Sequence, residues 1–206
     1  MNPPLVRSSG ALVASPEPLA GEVGAQVLRR GGNAADAAVA VALALAVTLP
    51  EAGNLGGGGF WMWRGRRGDR AALDYRETAP ARATASMYLD ADGRLQRGDG
   101  GPLDGHRAAG VPGTVAGMAE ALRRFGSGRF RWADLVEPAR ALAADGFVVS
   151  ERLHGSIRSA APRLARDAAA AAIFLPGGAP PAPGRRWRQP DLASTLARLR
   201  DRGPAE

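Results

Sequence analysis

The chain has 206 residues, 45% hydrophobic and 5% aromatic, with 28 glycines, 16 prolines and no cysteine, a size that suits one or two globular domains. The missing cysteines exclude a disulfide scaffold, a thiolate metal site and a cysteine nucleophile, and two histidines far apart in sequence, His106 and His154, do not make a self-contained zinc site. All 27 basic residues are arginine, against 20 acidic ones for a net charge of +7, but they run the whole length of the chain instead of forming a stripe or tail, which argues for compositional drift and against a nucleic-acid partner.

The first twenty residues carry no basic segment followed by a continuous apolar run, so no export signal is read in them. Residues 11–14 are short and apolar and suit a strand end. A helix is then expected from about Pro18 to Arg30, with Leu19, Val23 and Val27 on one face, Arg29 and Arg30 at the negative end of its dipole, and Gly31 and Gly32 as its stop. Asn33 and Asp36 are spaced to cap a second helix, which Pro50 ends. Its apolar run from Ala37 to Val47 falls short of the roughly 20 residues that span a bilayer, so it reads as a buried core helix with no membrane span.

Residues 60–63 and 71–75 read as two strands around the polar, glycine-containing turn 64–69. Residues 90–110 read as loop. A helix follows Pro112 and Gly113, with Val115, Ala119 and Leu122 on one face and Met118 and Phe125 beside them. Another covers Trp132 to Ala144 with Leu135, Ala139 and Leu142 buried, where Pro138 requires a kink or a later start and Gly146 is the stop. The proline-rich stretch 176–189 reads as an extended surface segment, and Leu192, Leu196 and Leu199 mark a last amphipathic helix. No repeat or long linker separates independent domains, so one domain, or part of one, is expected.

Two segments could carry chemistry. The glycine loop 53–59 lies between a helix and a strand, the reverse of the dinucleotide-binding order, and no Gly-Lys-Ser/Thr follows it. Packing against the sheet is its favoured reading over anion binding. Arg76, at the end of the second hairpin strand, offers a planar fork that can hold a carboxylate with two parallel hydrogen bonds, although the pattern alone favours an internal ion pair with Asp74 or Glu77. The residues by themselves lead no further than an α/β globular chain.

These segments belong to a longer set of motifs: ALVASPEPLAGEVGAQVLRRGGNAADAAVAVALALAV, LGGGGF, LDYRETAPARAT, GVPGTVAGM, WADLVEPARALAADGFVVS and QPDLASTLARL. In order and spacing, over nearly all of residues 11–204, they closely resemble the γ-glutamyltranspeptidase family of N-terminal-nucleophile hydrolases. The resemblance implies an α+β fold, part of a four-layer αββα sandwich made as one precursor that cuts itself into a large and a small subunit. Residues 1–206 would be the N-terminal portion of that domain, with the small subunit absent.

The family's nucleophile is the threonine freed at the start of the small subunit, so no catalytic residue is assigned in this chain. Arg76 matches the arginine that grips the α-carboxylate of the γ-glutamyl group, which makes it the substrate-binding residue. Implied partners are a γ-glutamyl substrate such as glutathione, an amino-acid or peptide acceptor or water, and the small subunit of the same precursor. No metal or organic cofactor is implied. The resemblance implies a periplasmic or secreted location, whereas the first twenty residues suit a cytoplasmic chain or one whose export signal has been removed. The alternatives are a cephalosporin-acylase-like or poly-γ-glutamate-processing relative, and a stand-alone non-catalytic module that binds γ-glutamyl compounds.

Overall fold

The computed structural model describes residues 7–98 and 101–205. Residues 1–6, on which part of the export-signal reading rests, residues 99–100 of the expected loop, and Glu206 lie outside them. The elements in chain order are helices α1 (Pro18–Arg29) and α2 (Ala34–Thr48), strands β1 (Phe60–Arg64) and β2 (Arg70–Asp74), helices α3 (Thr114–Phe125) and α4 (Trp132–Asp145), strand β3 (Phe147–Val148), helices α5 (Glu151–Leu164) and α6 (Ala168–Phe174), strand β4 (Arg186–Trp187) and helix α7 (Pro190–Arg202). This mixture of helix and strand divides into two units. One comprises the chain up to Asn54 and from Ala121 onward; the other is Leu55–Glu120.

The first unit is built around α2. Eleven of the fifteen residues of this helix are buried, as an all-round apolar helix requires, and it packs against α1 on one side and α4 on another. Asn33 Oδ1 accepts the N–H groups of Ala35 and Asp36 at 2.9 and 3.1 Å, and Asp36 Oδ2 accepts the Asn33 N–H at 2.9 Å, a reciprocal cap. On α1 the buried line is Ala20, Val23, Gly24 and Val27, while Leu19 is exposed. The expected face is turned because Gly24 lets the helices approach: a Cβ there would lie 2.5 Å from Val41 Cγ2. Residues 11–14 form no strand, because no ladder partner meets them among the described residues.

Helix α4 starts at Trp132 and runs through Pro138, which forgoes one helical bond, to the Asp134 carbonyl, without delaying the start. Leu135, Val136, Ala139 and Ala143 are its buried line, with Leu142 only half-buried. Helix α7 lies against α4, where Trp132 Nε1 donates to the Leu199 carbonyl at 2.9 Å. Gly146 ends α4 at φ +78°, and the chain enters a short antiparallel pair in which Phe147 faces Trp187 and Val148 faces Arg186.

That pairing corrects the surface reading of residues 176–189 at its C-terminal end. Trp187 is buried, with the rings of Phe147 and Phe174 at 5.9 and 5.7 Å. Buried Gln189 donates from Nε2 to the Val47 carbonyl at 2.8 Å. The long-range contacts of these two side chains, not the local proline content, set the path. Among the described residues no helix is long and apolar enough to cross a membrane.

The second unit begins with the β1–β2 hairpin, paired antiparallel from Phe60↔Asp74 to Arg64↔Arg70. Its turn is closed by the Gly65 N–H donating to the Asp69 carbonyl at 2.9 Å, with Gly68 in the left-handed region at φ +84°. Trp61 is buried, whereas Phe60 and Met62 on the other face are 62% and 81% exposed. Among the described residues, 76–98 and 101–113 are largely irregular, with one 3₁₀ turn at His106–Ala108. On α3 the buried line is Thr114, Gly117, Met118 and Ala121, whereas Val115, Ala119 and Leu122 are only half-buried. The inward face is chosen by Gly117, whose missing side chain leaves room for the Tyr75 ring.

Candidate functional site

The residues around Arg76 lie within the second unit and are held by backbone bonds on two sides. Tyr75 and Gly59 extend the hairpin ladder, the Tyr75 N–H donating to Gly59 at 3.0 Å and the Gly59 N–H to Tyr75 at 3.4 Å. Farther on, Thr78 and Val111 exchange N–H···O bonds of 3.3 and 2.9 Å, and the N–H groups of Gly113 and Thr114 donate to the Gly57 carbonyl at 2.8 and 3.0 Å. Segment 75–78 is thus sandwiched between the glycine loop and residues 110–114.

The close approach depends on absent side chains. A Cβ on Gly58 would lie 2.5 Å from the Tyr75 carbonyl oxygen and 2.8 Å from Arg76 Cα, and one on Gly110 would lie 2.8 Å from Glu77 Cβ. A Cβ on Gly113 would run into the Tyr75 carbonyl, and one on Gly117 into the Tyr75 ring. The glycine loop therefore packs on the Arg76 segment, just beyond the end of β2.

Arg76 is fixed at the backbone and free at its tip. Its N–H donates to Asp74 Oδ1 at 3.0 Å and its Nε to Glu77 Oε2 at 3.3 Å, and its guanidinium carbon lies 5.7 Å from the centroid of the Phe60 ring. The ion pair expected from the pattern forms with Glu77, while Asp74 takes the backbone N–H. The Arg76 side chain is still 61% exposed, and its two Nη groups have no hydrogen-bond partner among the described residues.

Glu77's own backbone N–H holds its carboxyl below the usual 4.5, with partial burial working against it and the Arg76 guanidinium and the Gly58 N–H lowering it further. The Tyr75 hydroxyl, which donates to the Phe60 carbonyl at 3.3 Å, is pushed above its ordinary value by burial. Chemically this is a cationic fork just beyond a strand end held by backbone hydrogen bonds on two sides, with the geometry to take up a carboxylate.

Sequence reasoning missed Phe60, Gly113 and Gly117 as parts of this arrangement. The hairpin register carried the signal for Phe60, since pairing it with Asp74 puts it diagonal to Arg76 on one face. A glycine inside a helical pattern carried it for Gly117. His154 is structural, with Nδ1 at 3.0 Å from the Pro181 carbonyl. Among the described residues no group of three or more His, Asp or Glu side chains is placed to hold a metal ion.

Comparison with known proteins gives this geometry a context. The family model for gamma-glutamyltranspeptidase matches residues 20–206. The chain is 43% identical over 202 residues to the glutathione hydrolase proenzyme of Escherichia coli K12, covering 98% of this chain and 34% of that protein. It is 42% identical over 200 residues to the acylase ACY 1 proenzyme of Pseudomonas sp. strain V22, covering 95% of this chain and 36% of that one. Its fold superposes on the crystal structure of the Helicobacter pylori gamma-glutamyltranspeptidase with a TM-score of 0.91 at 40% identity, over 97% of this chain and 56% of that one. The chain spans about a third of the length of the curated relatives it matches. By sequence along nearly its whole length, and by fold, this chain belongs to the γ-glutamyltranspeptidase family.

Proposed function

We propose that this chain is the N-terminal portion of a precursor that cuts itself into two subunits and then hydrolyses or transfers γ-glutamyl groups, with glutathione as the type of substrate. The complete domain would be the four-layer αββα sandwich, located in the periplasm or secreted, with the small subunit supplying an N-terminal threonine. The threonine α-amine takes the hydroxyl proton as the oxygen attacks the γ-glutamyl carbonyl, then passes it to the leaving amine; water or an acceptor amine resolves the acyl-enzyme. Arg76 would bind the substrate α-carboxylate. No step calls for a metal or an organic cofactor.

The observation that carries this reading is Arg76 itself, at the position of a family motif, its backbone clamped between glycines and its Nη groups open. That relatives are described as proenzymes supports the two-subunit part. The similarity to an acylase proenzyme gives some support to an acylase-like reading, but an exposed guanidinium suits a ligand with a free α-carboxylate beside the scissile amide.

The test is to express the complete protein and the 206-residue chain side by side. The complete protein is expected to separate into two chains, the smaller beginning with threonine by mass spectrometry, and to release amine from a γ-glutamyl anilide, while the 206-residue chain releases none. Turnover by the chain alone would refute the mechanism. A complete protein that binds γ-glutamyl compounds without turnover would favour the binding module.

A further inference from the structure

We infer that Phe60 is a positioning residue for Arg76, one that presents the guanidinium end-on to the substrate carboxylate; the inference rests on the ligand-binding reading of Arg76. Phe60 pairs with Asp74, and the next pair along the ladder is Gly59 with Tyr75. Side chains alternate along a strand, so Arg76, two residues beyond Asp74, leaves the hairpin on the same face as Phe60. The β1-side neighbour of Arg76 is Gly58, which has no side chain and sits tight against the Arg76 backbone. Phe60 is therefore the β1-side ring beside the guanidinium, at 5.7 Å from its carbon to the centroid, within the range at which a cation is attracted to an aromatic face.

Two contacts then leave one edge of this side chain available. Glu77 takes Nε, the guanidinium carbon lies over the Phe60 ring, and the Nη1/Nη2 edge stays open as a two-pronged donor. Phe60 is itself held, since its carbonyl accepts the Tyr75 hydroxyl at 3.3 Å. At 62% exposure its ring is not explained by core packing within this chain.

The experiment uses the complete, processed protein and steady-state kinetics on a γ-glutamyl anilide, with Phe60→Leu, Phe60→Met and Phe60→Trp each made in the parent and in an Arg76→Ala background. Phe60→Leu and Phe60→Met are expected to raise KM by about twofold to thirtyfold, the span of an exposed to a desolvated cation–π contact, with kcat much less affected. Phe60→Trp keeps a ring over the cation and is expected to hold KM near the parental value. In the Arg76→Ala background the cost of losing the ring should vanish, because its target has gone.

An equal loss in both backgrounds, or parental KM in both Leu and Met variants, overturns the inference while leaving Arg76 in place. Parental kinetics in Arg76→Ala removes the ligand reading, and this inference with it. Failure of all three Phe60 variants to mature would assign Phe60 to packing and also overturn it.

Discussion

At the scale of single residues, Asp36 shows how much one side chain can hold. It is fully buried, and its carboxylate accepts the Asn33 N–H at 2.9 Å and the Ser127 N–H at 3.2 and 3.3 Å, while Asn33 Nδ2 donates to the Phe125 carbonyl at 2.7 Å. The spacing of Asn33 and Asp36 made the cap legible. The tie to residues 125–127 was not, because it joins residues 91 and 92 positions apart, a distance over which no local pattern reports. Asp36→Ala removes the reciprocal half of the cap and leaves the Asn33 and Ser127 amides without their acceptor, and is expected to cost about 2–4 kcal/mol. In urea denaturation the midpoint should fall by roughly 1–2 M at a slope of about 2 kcal/mol/M; an unchanged midpoint would show that water replaces the carboxylate at no cost.

At the scale of elements, α4 and α7 share an ionic lock. Glu137 on α4 accepts from Arg140 at 2.7–3.0 Å and from Arg200 on α7 at 2.6 Å. The hydrogen bonds of Arg140 come first in holding its carboxyl below the usual 4.5, those of Arg200 adding to them against partial burial. A carboxyl whose pKa is lower in the folded state stabilises the fold above its unfolded pKa. That contribution is lost as pH falls through the folded value. The thermal midpoint is therefore expected to drop as pH is lowered past 4.5 and on through the depressed folded value, and Glu137→Gln should make that slope shallower. An identical slope in the variant would show that other carboxylates carry the acid sensitivity.

The legibility of elements followed a simple division. The hairpin, α1, α2, α4 and α7 were legible because their ends carry caps, glycine stops or turns. The faces of α1 and α3 were misjudged by one residue where a glycine, Gly24 or Gly117, decides which side comes close to a neighbour. The two-residue strands β3 and β4 are too short to show alternation, and they exist because Phe147, Phe174 and Trp187 cluster.

At the scale of the whole molecule, the described residues bring one open guanidinium, that of Arg76, to a strand end held between glycines, and under the proposed function the nucleophile would come from the small subunit. The position of Arg76 was legible from the strand-end motif. Its surroundings were not, since the glycines that clamp it at 58, 110, 113 and 117 and the ring beside it at 60 come from separate stretches of chain that only the fold brings to one segment.

The most direct measurement is kcat/KM of processed Arg76→Ala protein on a γ-glutamyl substrate. Losing one partner of a desolvated, hydrogen-bonded charge pair costs roughly 2–5 kcal/mol, so the account predicts a fall of about 30-fold to a few thousand-fold. Arg76→Lys should recover only part of it, because a lysine keeps the charge without the fork, and autocleavage should proceed in both variants. A kcat/KM within about twofold of the parent would contradict the account and leave Arg76 as no more than the ion-pair partner of Glu77.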